Sequence, residues 1–302
     1  MRRSSIQIWG DAMKDYIRLA RPHHWIKNLL VVLPLLCSGQ FLETGKLLIS
    51  IWAFLAFSFL ASAIYVNNDI RDCEKDRLNP RKCERPIAAG RIGVRSARIY
   101  FAVLLGVTLV FSVLAAGQLV YGWCLLAAYL FLNLAYSMKL KNIPVVDIAI
   151  LAAGYLLRML FGSAVTGIEL SSWLCLTVIA ASFFMGLGKR RGELKGKKDY
   201  GESTRKVLQY YSEGFLDRNM TVCIGLAIMF YSLWTVDSMT VARVGSDRLV
   251  WTVPVVLLLC MKYSLDIEGE SDGDPIEVLL HDPVILLLGG LLALMIFYLI
   301  YL

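Results

Sequence analysis

Nine apolar stretches recur along the chain, near residues 26–42, 47–66, 97–116, 118–136, 143–165, 171–188, 219–237, 248–266 and 283–302. Each is close to the roughly 20 residues an α-helix needs to cross a hydrocarbon core. The pattern predicts an all-α integral membrane protein, a bundle of about nine transmembrane helices whose two chain ends lie on opposite sides. Composition agrees: of 302 residues 57% are hydrophobic and 18% charged, with a mean hydropathy of +0.60, too little charge for a soluble domain of this length. A single transmembrane domain over residues 1–302 is expected, with 1–25 as a cytoplasmic N-terminal segment. The first 27 residues are mostly polar and show no signal-peptide cleavage pattern.

The net charge of +7 invites a nucleic-acid reading, yet Lys and Arg gather in loops between apolar stretches, where orientation in the bilayer accounts for them. No nucleic-acid partner is expected. Loop 67–96 holds Arg71, Lys75, Arg77, Arg81, Lys82, Arg85, Arg91 and Arg95. Loop 189–218 holds Lys189, Arg190, Arg191, Lys195, Lys197, Lys198, Arg205, Lys206 and Arg218, whereas the opposite side keeps Lys46, Arg243 and Arg248. This asymmetry places the N-terminus and both basic loops in the cytoplasm, in a multi-pass plasma-membrane protein. Seven cysteines are scattered without a C-x-x-C pair, which argues against a disulfide framework or a zinc site.

Charge is densest after the second stretch, in Tyr65 to Arg91, where Asn68, Asp69, Asp72 and Asp76 form N-D-x-x-D-x-x-x-D. On an α-helix, positions i, i+3 and i+7 share a face, so the three carboxylates project together and repel. A bound cation relieves that repulsion, and all-oxygen ligation suits Mg²⁺ carrying a phosphorylated substrate. The alternative is a solvated acidic face paired with Arg71 and Lys75.

Further candidates lie at the edges of other stretches. Lys27 and Asn28 open the first one, either as anion ligands at a helix N-terminus or, with Arg21 and Trp25, as an interfacial anchor. Tyr136, Lys139 and Lys141 follow the fourth, where the lysines meet a phosphate or lipid headgroups. Asp147 and Arg158 lie inside the fifth, on one helical face but roughly 16 Å apart, so each needs its own partner and their face is expected to line a polar cavity. Arg158 either binds substrate or pairs with a charge on another helix. Lys189, Arg190 and Glu193 follow the sixth and supply two cations and one possible metal ligand. The acidic run Glu268, Glu270, Asp272 and Asp274 reads as a solvated loop, with a second metal site as the alternative.

The Asn68–Asp76 motif, its place after the second span, the nine-span layout and the basic loop after span six resemble the UbiA superfamily of membrane prenyltransferases, over nearly the whole chain. Within it, four stretches resemble the branch that transfers phosphoribosyl to a polyprenyl phosphate. They are Arg21-Pro-His-His-Trp-Ile-Lys-Asn28; Tyr136-Ser-Met-Lys-Leu-Lys141 with Val145-Val-Asp147; Leu157-Arg158 with Gly162; and Gly188-Lys-Arg-Arg-Gly-Glu-Leu194. The resemblance implies a UbiA-type bundle around a central polar cavity open to the cytoplasm. It also implies Mg²⁺ as cofactor, with phosphoribosyl diphosphate and a long-chain polyprenyl phosphate as substrates. Asp69, Asp72 and Asp76 would be catalytic and, with Asn68, hold the metal. Lys27, Asn28, Arg85, Tyr136, Lys139, Arg158, Lys189, Arg190 and Glu193 would bind substrate.

One departure bears on the donor. Superfamily members that prenylate aromatics carry a second motif, D-x-x-x-D, after span six, and here Lys189-Arg-Arg-Gly-Glu193 stands in its place. Cations there supply direct phosphate donors, as a substrate with a diphosphate and a separate 5-phosphate requires. The rival readings are an aromatic prenyltransferase of the same fold and an organic-anion transporter. The latter is suggested by Asp147 and Arg158 but lacks support from any internal repeat.

Overall fold

The computed structural model describes residues 5–80, 82–200, 206–268 and 282–302, and these residues form helices and turns without a strand. Helix α1 (Ser5–Ala20) leads into a 3-10 helix (Pro22–Val31) and a single turn, α2 (Leu33–Leu36). Then come α3 (Thr44–Arg77), α4 (Val94–Ala116), α5 (Val120–Met138), α6 (Val146–Thr166) and α7 (Ser172–Tyr200). The chain continues as α8 (Glu213–Val236), α9 (Ser238–Val244), α10 (Val253–Glu268) and α11 (Pro283–Tyr301). Among the described residues, 8 helical segments are long and apolar enough to cross a membrane: α3 to α8, the segment Arg248–Glu268, and α11. They coincide with the expected stretches from 47–66 onward. Most of the acidic run at Glu270, Asp272 and Asp274 lies outside the described residues.

The first stretch, 26–42, departs from the expected continuous helix. Pro34 lacks a backbone N–H and its ring crowds the carbonyl four residues back, so the helix breaks at Val32. A 3-10 helix rises about 2.0 Å per residue against 1.5 Å for an α-helix, so the two pieces together reach about 26 Å, close to the thickness of a hydrocarbon core. They run antiparallel to α3. Near one end Trp25 Nε1 donates to Ser62 Oγ at 3.0 Å and Asn28 Nδ2 to Ser58 Oγ at 3.0 Å. At the other end the Leu35 and Leu36 carbonyls accept from the Tyr301 hydroxyl at the close of α11, at 3.2 and 2.8 Å.

Helix α6 is the hub, touching the 3-10 helix, α2, α3, α5 and α7. Contact with the 3-10 helix is backbone to backbone: a Cβ at Gly162 would run into the Val31 carbonyl, so only glycine fits. Around this contact Phe57 of α3, Tyr129 of α5 and Phe161 of α6 pack, with tilted rings, into one buried cluster. Helix α11 instead exposes Leu287 and Leu294 by 71% and 70%, a surface suited to lipid.

Helix α3 positions the site. Its apolar part ends near Val66, yet the polar residues that follow contain neither Gly nor Pro, and the helix runs on to Arg77 for 34 residues, about 51 Å. Asn68 to Asp76 therefore occupy its last turns, beyond what a core of roughly 30 Å can cover.

Candidate active site

Every carboxylate of the motif meets a cation brought from elsewhere in the chain. Asp69 and Asp76 are buried, at 3% and 5% exposure. Arg21 Nη2 lies 2.6 Å from Asp69 Oδ1, and Arg85 Nη1 lies 3.1 Å from Asp69 Oδ1 and 2.7 Å from Asp76 Oδ2. Lys141 Nζ is 3.3 Å from both Asp72 oxygens, and Asn68 Oδ1 accepts from the Ser137 hydroxyl. The local partners of the solvated-face reading, Arg71 and Lys75, are exposed. Arg21 reaches inward because its backbone takes a left-handed turn, φ 52°, between α1 and the 3-10 helix, and its guanidinium packs 5.2 Å from the Tyr65 ring. The turn carrying Arg85 is held by Arg77, whose Nε donates to the Ala88 carbonyl at 3.2 Å.

Among the described residues, no three His, Cys, Asp or Glu side chains converge on one point. Asp72 turns toward Lys141 while Asp69 and Asp76 share a single atom, Arg85 Nη1. The donor set still fits a hard cation. Asn68, Asp69, Asp72 and Asp76 offer only oxygen, lie within an arc of about 100° on one helix, and include two carboxylates already converged on one positive atom.

A second cluster adjoins the first. Arg190, 0% exposed, donates from Nε to Asp147 Oδ2 at 2.5 Å, from Nη1 to Glu193 Oε2 at 2.7 Å and from Nη2 to the Tyr136 hydroxyl at 3.0 Å. Every guanidinium nitrogen is thus engaged inside the protein, where Arg190 holds Tyr136 and Glu193. Asp147, also 0% exposed, accepts in addition from the Tyr211 hydroxyl at 2.6 Å. Burial, and after it this bond to Asp147, holds the Tyr211 phenol above the ordinary tyrosine value, so it keeps its proton. Sequence reasoning missed Tyr211, which sits outside any periodic pattern. Tyr136 and Ser137 are consecutive on α5 and reach one cluster each, so the C-terminal end of α5 stands between them. Lys27 and Lys189 are partly buried and Lys139 is exposed.

Arg158 and Asn28 belong elsewhere. Arg158 donates to Asn28 Oδ1 at 2.7 Å, the Gly154 carbonyl at 2.6 Å and the Tyr129 hydroxyl at 2.7 Å, and lies 4.8 to 5.7 Å from the Phe57, Tyr129 and Tyr155 rings. Among the described residues it has no carboxylate partner, so the expected ion pair with another helix gives way to neutral acceptors and aromatic faces. Asn28, which pairs with Ser58, sits about 16 Å along α3 from Asp69. The structure thus places Asn28 and Arg158 together, apart from the carboxylates of the motif. Nor does either charge of α6 line open space: Asp147 is 0% and Arg158 5% exposed.

The model of the UbiA prenyltransferase family matches residues 31–275. The chain is 34% identical to decaprenyl-phosphate phosphoribosyltransferase of Corynebacterium glutamicum, over 90% of this chain and 82% of that protein. It is 35% identical to the protein of the same name from Mycolicibacterium smegmatis, over 92% of this chain and 90% of that one. Its fold is similar to that of a UbiA homologue from Archaeoglobus fulgidus solved with GPP and Mg²⁺, at a TM-score of 0.68, 17% identity and coverage of 94% and 97% of the two chains. With its membrane-spanning helices and a family match over most of its length, the chain belongs to the UbiA prenyltransferase family.

Proposed function

We propose that this protein transfers the 5-phosphoribosyl group of phosphoribosyl diphosphate to the phosphate of a long-chain polyprenyl phosphate, releasing diphosphate. The observation that carries this reading is the likeness, across nine-tenths of the chain, to decaprenyl-phosphate phosphoribosyltransferases. Lys189 on α7 supports it, because it stands where a second acidic motif would serve an isoprenoid diphosphate.

The donor's diphosphate lies against the last turns of α3, where Asp69, Asp72 and Asp76, with Asn68, would hold Mg²⁺. When bound there, the metal neutralises charge on the departing diphosphate. Arg21, Arg85 and Lys141 flank the same carboxylates with side chains 19%, 29% and 21% exposed, so they are near enough to turn from carboxylate to phosphate. Lys189, Lys27 and Lys139 are the remaining candidates for the donor's 5-phosphate and the lipid phosphate, with Tyr136 and Glu193 oriented by Arg190. Cleavage at ribose C1 develops oxocarbenium character, which nearby carboxylates stabilise. The lipid phosphate is already ionised at neutral pH, so attack needs no strong general base. Direct displacement inverts C1. The apolar tail runs in a groove between helices open to the bilayer, and the distribution of Lys and Arg supports a site on the cytoplasmic face of the plasma membrane with the N-terminus on that side.

The test is transfer of label from ribose-labelled phosphoribosyl diphosphate into an organic-extractable product, using purified protein, Mg²⁺ and a long-chain polyprenyl phosphate. Labelled lipid is expected only when both substrates and the metal are present. Folded protein that forms no such lipid, yet prenylates an aromatic acceptor from an isoprenoid diphosphate, would overturn the reading.

A further inference from the structure

Tyr211 takes no part in the chemistry above, yet it ties together the parts of the site that the sequence keeps far apart. We propose that Tyr211 is a positioning residue, which holds a strained turn at Val145 and through it fixes Tyr136 and Glu193. What those two groups bind rests on the phosphoribosyl-transfer reading; the latch itself does not.

The chain of contacts is continuous. Val145 N–H donates to the Tyr211 hydroxyl at 2.7 Å, and that hydroxyl donates to Asp147 Oδ1 at 2.6 Å. Asp147 Oδ2 accepts from Arg190 Nε at 2.5 Å, and Arg190 reaches the Tyr136 hydroxyl at 3.0 Å and Glu193 at 2.7 Å. Val145 has φ 66° and ψ −42°, a conformation that a β-branched residue adopts only under constraint. Its strain falls at the N-terminus of α6, where Asp147 must leave the helix at the right angle to meet Arg190. The segment delivering Tyr211 is itself anchored, since Val207 and Leu208 are 0% and 2% exposed. The hydroxyl is therefore a fixed post, and it satisfies both the strained N–H and the buried carboxylate with one oxygen.

Tyr211→Phe keeps the ring and removes that oxygen. Expected results are a rise of about tenfold in the KM for phosphoribosyl diphosphate, kcat within about twofold of wild type, and faster hydrogen exchange at amides 145–149. Glycine tolerates a positive φ, so adding Val145→Gly to Tyr211→Phe should relax the strain and return KM and exchange toward wild type. Unchanged KM and exchange in Tyr211→Phe would overturn the proposal, as would failure of Val145→Gly to rescue. A uniform loss of folded protein with KM unaltered in what remains would also overturn it, by showing a merely structural residue. Should wild type transfer no phosphoribosyl group at all, the functional reading falls, while the exchange measurements on the same two variants still decide the latch.

Discussion

At the scale of residues, the site is an exercise in balancing charge with few groups. One nitrogen of Arg85 serves two buried carboxylates, so replacing either acid changes both the proposed metal-binding set and the resting counter-ion. Asp76→Asn preserves shape and removes one charge; turnover should fall by about 100-fold and a higher Mg²⁺ concentration should be needed for half-maximal rate, as a magnesium titration of initial rates would show. Asp147→Asn acts differently, because it leaves Arg190 buried with a weakened partner. It should cost about 3–5 kcal/mol of stability, read as a lower unfolding midpoint in micelles. The acid motif was legible because its spacing is local and one helix face brings it together. Its counter-ions were not, since Arg21 and Lys141 lie 48 and 69 residues from the carboxylates they meet and no periodicity links them. The pairing of Arg190 with Asp147 was hidden for the same reason, 43 residues separating the two.

At the scale of elements, hydropathy found the runs but not their form. It is blind to helix type, so the passage from a 3-10 helix to the single turn of α2 was hidden, although Pro34 marks the break. It also stops where apolar residues stop, and α3 does not. Gly162 is where two elements touch most closely. Gly162→Ala should drive α6 away from the 3-10 helix and lower stability by about 3 kcal/mol or more, with loss of folded monodisperse protein on size-exclusion chromatography. Ala at Gly106, which faces open space within α4, is the matched control and should be neutral or slightly stabilising.

At the scale of the whole molecule, the proposed orientation rests on the distribution of Lys and Arg. With the other six cysteines replaced, Cys83, in the loop after α3, should react with a membrane-impermeant thiol reagent only from the cytoplasmic side. Gly45→Cys, at the start of α3 with nothing near it, should react only from the opposite side when all seven native cysteines are replaced. The reverse pattern in inside-out and right-side-out vesicles would refute the orientation. Helix α3 also works as a ruler. From Lys46 to Asp69 it measures about 35 Å, so when Lys46 rests in one headgroup layer Asp69 rests in the other, with Asp76 about 10 Å farther out. A sugar phosphate that never enters oil and a lipid whose tail never leaves it have one thin plane in common. On the proposed reading, a helix of this length hangs the carboxylates at that plane, and the two reactants meet without either one changing solvent.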